Sequence, residues 1–410
     1  MSSEQSPAPF EALAGQIAER VGTPVYVYDA GAIREQYRRL SAALAPVKHR
    51  ICYSAKANGN LSILRLLRGL GAGVDIVSSG ELARALAAGY PGADVVFSGV
   101  GKTADEMRAA LEAGVGMINV ESEEELLELA RVAGEKRTEA RVAIRVNPEV
   151  MVDVHPYTAT GVKGKKFGIP YDEALALARR AARMDSLRLI GLAMHIGSGI
   201  TAAQPFVEAL LKMLELVDAL RKSGHGDLAV LDIGGGLGIR YQEQDQPLDV
   251  DDWAAAILPH LATAGLTIVV EPGRFLVGNA GVLMTKVLYR KKSGGRMIAI
   301  TDAGMTDLIR PSHYQAYHGI SVVGADSRKP VAYDVVGPIC ESGDFFALDR
   351  ELPELKQGDL LVIHGAGAYG FVMTSTYNAR PRPPEVMIDG GEFRIVRERE
   401  TIDDLMRGES

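Results

Sequence analysis

From about residue 50 to residue 275 the chain repeats one pattern eight times. A short apolar, β-branched run is followed by a stretch rich in Ala, Leu, Glu and Arg with helical periodicity. The runs are RICYSA (50–55), GVDIV (73–77), ADVVFS (93–98), VGMINV (115–120), ARVAIRV (140–146), LRLIGLAMHI (187–196), LAVLDI (228–233) and LTIVVE (266–271). Several intervening helical stretches, such as LSILRLLRGLG and TADEMRAALEAG, finish in Gly, the residue that closes a helix in the left-handed conformation. Apolar strands alternating with helices imply a parallel sheet covered on its faces; a doubly wound open sheet shows a similar alternation, but the count of eight units points to a closed (β/α)8 TIM-like barrel. After Arg274 the pattern changes to strand-like segments separated by turn residues, among them AGVLMTKVLYRKK, RMIAITDAG, PVAYDVVG, DLLVIHGAGAY and EFRIVRE. These predict a C-terminal, mainly antiparallel β domain. The early run TPVYVYD (23–29) is also strand-like and is expected to pair with that domain. The expected organisation is an N-terminal segment (1–36) contributing to the β domain, a barrel (37–275) and the β domain (276–410).

Composition narrows the function. Of 410 residues, 47% are hydrophobic and 24% charged, enough for a large core without metal or disulfide staples. The formal net charge of -7 argues against a nucleic-acid or anionic-membrane partner. The two cysteines, Cys52 and Cys340, form no CxxC pair, which suits a reducing compartment. Glu4 and Glu11 stand where a signal peptide would need basic residues, and no apolar run reaches the length of a membrane span. The expectation is a cytoplasmic protein.

Barrel chemistry sits at the C-terminal ends of the strands. Polar residues and glycines gather at those ends here, from Lys56 after strand one to Glu271-Pro272-Gly273-Arg274 after strand eight. Lys56 is either a solvated strand-end lysine or a Schiff-base lysine whose amine is made nucleophilic by desolvation. Asp75, a lone acid in an apolar strand, needs a buried partner, and Lys56 is a plausible one. Gly234, Gly235 and Gly236 form a tight turn or present successive backbone N–H groups to a phosphate. Glu271 is a loop cap or a carboxyl that keeps a pyridine nitrogen protonated. His195 is a hydrogen-bonded rim residue or a ring that stacks on a planar cofactor. Cys340 and Glu341, in GPICESGD, occupy a polar turn that suits an acid better than a packing residue. No clustered histidines suggest a metal, and no GxSxG suggests a serine hydrolase.

YSAKAN, HPYTATGVKGKKFGI, HIGS, DIGGGLGI, EPGR, DAGMTDLIRPSHYQAYH, GPICESGD, GAYG and YNARPRP occur in an order that resembles the fold-type III pyridoxal-phosphate decarboxylases. The likeness spans nearly the whole chain and is greatest to those members that act on diaminopimelate. It implies pyridoxal 5'-phosphate as cofactor, a head-to-tail homodimer with shared active sites, and decarboxylation of meso-2,6-diaminopimelate to L-lysine and CO2. By resemblance, Lys56 binds the cofactor aldehyde, Glu271 partners the pyridine nitrogen and His195 stacks on the ring. Asp75, Ser198, Gly234, Gly235, Gly236, Pro272, Gly273, Arg274 and Tyr369 are implied cofactor contacts. Arg274, Arg310 and Tyr314 match positions that grip the substrate's distal carboxylate. Glu341 matches the one facing its distal amine, and Tyr369 lies near the substrate. Cys340 matches the proton donor, supplied with Glu341 by the second subunit. Gly199 and Thr306 depart from the family pattern, which often has Gln and Asn there.

Alternatives remain within and outside the class. One is a related decarboxylase of another basic amino acid or a carboxylated polyamine, against which Arg310 and Glu341 argue. A barrel racemase would present Arg to the pyridine nitrogen, where this chain has Glu271. A catalytically inactive cofactor-binding regulator would lack the lysine or the cysteine.

Overall fold

The computed structural model describes residues 9–155, 157–158, 160–225, 227–325 and 327–410. The first eight residues of the expected N-terminal segment, and residues 156 and 159 of the HPYTATG motif, lie outside them. The chain divides into two compact units. One comprises Arg34–Ile239 and Gln246–Leu276, the other Met1–Ile33, Arg240–Asp245 and Val277–Ser410.

The first unit is the barrel. Its eight strands are His49–Ser54, Gly73–Ile76, Val95–Phe97, Met117–Val120, Ala140–Asn147, Leu187–Met194, Val230–Asp232 and Thr267–Val270. Each pairs in parallel with the next, and Thr267–Val270 pairs with His49–Ser54 to close the ring. Every sequence-predicted run became a strand because both faces are buried, so continuous apolar runs suit each one. Cys52, Val96, Met117, Ala143, Ile190, Ala193 and Val269 pack together from different strands. Cys52 is wholly buried among them, and burial pushes its thiol up, so it is a packing residue. Asn60, Ser78, Thr103 and Ser122 each cap the helix that follows one of the first four strands by accepting a backbone N–H. The caps fix where each strand stops and so where the rim residues stand.

The second unit is a nine-stranded sheet in which six of the eight strand pairings are antiparallel. Val25–Asp29 enters it as expected, antiparallel to Gly281–Ser293 and parallel to Glu385–Asp389. The helix Pro9–Val21 lays Phe10, Ala14 and Ile17 on Val25, Val27, Val282, Met284, Val362, Val386 and Ile388. Each large apolar side chain so buried contributes about 1.5–3 kcal/mol. Among the described residues no helix is long and apolar enough to cross a membrane.

Candidate active site

At the end of the first barrel strand the chain turns through Ala55–Ala57, which carries Lys56. Lys56 Nζ donates to Asp75 Oδ2 on the second strand at 3.0 Å, and Ser54 Oγ donates to the same oxygen at 2.8 Å. Asp75 is fully buried, and its other oxygen, Oδ1, has no hydrogen-bond partner among the described residues. A buried carboxylate needs a counter-charge, and Lys56 supplies it while its own side chain remains one-third exposed (33%).

Two further acids face each other from the seventh and eighth strands. Asn119 Nδ2 reaches Asp232 Oδ2 at 3.2 Å, Ser98 Oγ at 3.1 Å and Glu271 Oε1 at 3.5 Å. Ser98 Oγ donates to Glu271 Oε1 at 3.3 Å. Burial, followed by the charges of Asp232 and Asp75, holds the Glu271 carboxyl well above the ordinary carboxylate range. Burial likewise raises Asp232 to about 6, against hydrogen bonds that favour its charged form. Both shifts favour the protonated form of the pair, and burial is the main cause at each carboxyl.

The glycine turn links this pair to His195. Gly234 N–H donates to Asp232 Oδ1 at 2.9 Å, and Gly235 N–H donates to His195 Nδ1 at 3.2 Å. Two of the three successive N–H groups thus point into the protein, where the sequence alone suggested all three for a phosphate. Gly234 and Gly236 take φ of +68° and +119°, and a Cβ on Gly235 would lie 2.2 Å from the Glu271 carbonyl oxygen. Burial, then the charges of Lys56 and Arg145, lowers the His195 imidazole well below its ordinary value. With Nδ1 accepting, the neutral ring carries its proton on Nε2. Beyond it, Arg274 Nη2 and Nε reach Ser198 Oγ at 3.2 and 3.4 Å. Pro272 and Gly273 form the turn between Glu271 and Arg274. Gly199 takes φ of +89° and donates its N–H to Gly236 O at 3.0 Å, so the left-handed backbone there suits glycine rather than the family's Gln. Not every polar strand end is free for chemistry. Lys102 is paired with Glu125 at 2.6 Å and Arg145 with Glu121 at 2.7 Å, and both pairs brace the rim.

The β unit holds the remaining candidates. Arg310, at the start of the short helix Arg310–Tyr314, is buried. Its guanidinium lies 5.8 Å from the Tyr314 ring centre and 5.3 Å from that of Tyr241, whose hydroxyl accepts from Arg310 Nη2 at 3.0 Å. Cys340 and Glu341 are exposed on a turn held by Asp344, which accepts the N–H of Ile339 and Met305. Asn378 Oδ1 accepts the N–H of Cys340 at 2.9 Å. Tyr369 is half-buried with φ of +56°. Thr306, where the family pattern often has Asn, is buried.

Sequence reasoning did not single out Asp232, Ser98, Tyr241 or His318. Asp232 had the signal that marked Asp75, an acid inside an apolar strand. His318 closes the DAGMTDLIRPSHYQAYH motif, whereas Tyr241 carried no signal, and their roles come from contacts across 8 and 69 residues of chain.

The pyridoxal-dependent decarboxylase family, through its pyridoxal binding domain, matches residues 30–278. A diaminopimelate decarboxylase of Pseudomonas aeruginosa is 53% identical over 96% of this chain and 94% of its own length. One from Neisseria meningitidis serogroup A is 46% identical over 99% and 98%. The crystal structure of diaminopimelate decarboxylase from Helicobacter pylori complexed with L-lysine superposes with a TM-score of 0.92 at 41% identity, covering 96% of this chain and 98% of that one. On this footing, the chain belongs to the diaminopimelate decarboxylase family of pyridoxal-dependent decarboxylases.

Proposed function

We propose that this chain removes CO2 from meso-2,6-diaminopimelate and releases L-lysine, with pyridoxal 5'-phosphate as its cofactor. The observation that carries the proposal is the arrangement at the barrel rim: a lysine ion-paired to buried Asp75, beside a buried Glu271 whose carboxyl is bonded by Ser98 and raised above its ordinary range by burial. The near full-length likeness to diaminopimelate decarboxylases supports the substrate.

The residues present fit that cofactor. Lys56 offers an amine for its aldehyde. Glu271 offers an acid proton for its basic ring nitrogen, and neutral His195 offers a ring face. Ser198, Arg274 and, of the glycine turn, the Gly236 N–H offer donors for its phosphate. When bound, the cofactor supplies an electron sink for the bond electrons that CO2 leaves behind.

The chain's own residues then set protonation and orientation. Asp75 would pair with the Lys56 ammonium whenever that amine is not joined to the cofactor aldehyde. Glu271, whose buried carboxyl is raised above its ordinary range, would hold a proton at the ring nitrogen and serve as its counter-charge. Arg310 and Tyr314 grip the distal carboxylate through charge-assisted hydrogen bonds, and Glu341 faces the distal ammonium. Cys340 returns a proton to the carbon that lost CO2. Its exposure together with Glu341 on one turn supports a homodimer in which each chain lends that turn to the other's site. Tyr369 completes the cofactor and substrate contacts.

The test is an assay of purified, cofactor-loaded protein against a panel of amino acids, with CO2 and product detected. Diaminopimelate should exceed lysine and ornithine by about a hundredfold or more in kcat/KM, because either competitor leaves a buried guanidinium unmet. Equal turnover of ornithine would overturn the substrate and spare the cofactor.

A further inference from the structure

The Arg310 guanidinium donates hydrogen bonds outside its own helix. Its Nε–H donates to His318 Nε2 at 3.3 Å, and its Nη2 donates to the Tyr241 hydroxyl at 3.0 Å. The His318 ring is wholly buried and stands edge-on to the Tyr241 ring at 5.4 Å and 78°. His318 Nδ1 lies 2.7 Å from the carbonyl oxygen of His364. A carbonyl only accepts, so Nδ1 carries the proton and Nε2 of the neutral ring is the acceptor that Arg310 requires. That carbonyl is fixed in turn. His364 N–H bonds Gly319 O at 2.9 Å, where Ile320–Val322 pairs antiparallel with Leu360–Ile363. Ser321 Oγ sits 2.9 Å from the His364 ring and donates to Glu11 at 2.8 Å. Tyr241 is fixed at both ends as well. Its N–H bonds Asp245 Oδ2 at 2.9 Å, and its ring lies against Gly365, where a Cβ would stand 3.1 Å from the ring.

We propose that His318 and Tyr241 are positioning residues that set the plane of the Arg310 guanidinium for the distal carboxylate of the substrate. This rests on Arg310 reading that carboxylate. A guanidinium grips a carboxylate in two parallel hydrogen bonds only when both groups share a plane, so its orientation decides affinity as much as its charge does. Two of its donors are bonded to a ring nitrogen and a phenol locked to the sheet, and these two bonds fix the plane of the guanidinium. The Tyr241 and Tyr314 rings flank the guanidinium and deny it other rotamers.

L-lysine retains the distal carboxylate after decarboxylation, whereas 1,5-diaminopentane has no carboxylate at all. Inhibition of the cofactor-loaded enzyme by each therefore separates the carboxylate grip from everything else. Tyr241→Phe, which removes one hydroxyl and keeps the ring, and His318→Phe should each raise the KM for diaminopimelate and the Ki for L-lysine by about tenfold. The change should fall mainly on KM rather than kcat, and the Ki for diaminopentane should stay within about twofold. His318→Gln, whose amide oxygen can accept from Arg310, should recover most of the loss. Arg310→Ala is the reference. If it weakens L-lysine while Tyr241→Phe and both His318 variants do not, the positioning role is wrong and the grip stands. If diaminopentane weakens in parallel with L-lysine, the residues are merely structural and the proposal falls. If Arg310→Ala leaves L-lysine inhibition unchanged, the carboxylate grip is overturned and the positioning role with it.

Discussion

At the scale of single residues, the barrel rim is organised by the cost of burying charge. Lys56 answers Asp75, while burial shifts Asp232 and Glu271 toward their protonated forms. Borohydride reduction of the cofactor-loaded protein should therefore fix the cofactor to Lys56, identified by mass mapping of the labelled peptide. Label on any other lysine would remove Lys56 from its role. The acid pair also predicts a pH dependence of stability. Asp232 titrates near 6 in the folded chain and near 4 when unfolded, so between those values the folded state binds more protons. Stability of the cofactor-free protein then falls as pH rises through that window. Asp232→Asn removes the effect, so denaturant midpoints should favour the variant increasingly from pH 4.5 to 7. Parallel midpoint profiles for the two proteins would show that Asp232 is charged throughout.

Among elements, the glycine turn after the seventh strand constrains the site most. It connects Asp232, His195 and the Glu271 backbone, whose N–H donates to Gly234 O at 2.8 Å. Gly235→Ala would place a methyl 2.2 Å from a carbonyl oxygen of the neighbouring strand end, and a backbone atom inside a closed barrel cannot retreat. The variant should lose about 2–4 kcal/mol of stability and bind cofactor at least about tenfold more weakly, read by thermal melts and by titration of the cofactor's absorbance. A variant with wild-type melting and cofactor affinity would mean the turn yields more easily than its contacts imply. The helices at the rim show the opposite economy. Their caps are local, and Gly71, Gly89 and Gly114 close them with φ of +94°, +90° and +66°.

For the whole molecule the proposal is a shared site. If Cys340 and Glu341 serve the other subunit, Lys56→Ala and Cys340→Ala proteins, each inactive, should regain activity when mixed. Random exchange leaves one intact site in each heterodimer, or about a quarter of wild-type activity. No recovery despite demonstrated subunit exchange would return Cys340 to its own chain's site or remove it from catalysis.

Local signals were legible in the sequence. Strand and helix periods follow from side-chain geometry a few residues apart, so all eight barrel strands could be read, and with them the rim that carries Lys56, His195, Glu271 and Arg274. The strand Val25–Asp29 was placed correctly by its composition and by having no barrel partner to pair with. Ile320–Val322, Phe345–Pro353 and Glu385–Asp389 were not read as strands, since a run such as FFALDRELP mixes charge into both faces and becomes a strand only through its partners. The grouping of Arg240–Asp245 with the β unit was equally invisible, because nothing in YQEQD marks a change of unit. What only the tertiary structure decided is where the polar atoms are satisfied. Asn119 meets Asp232 across 113 residues and Tyr241 meets Arg310 across 69. Hydrogen bonds between distant segments leave no period in the chain, and they set the protonation of Glu271, the tautomer of His195 and the direction of Arg310.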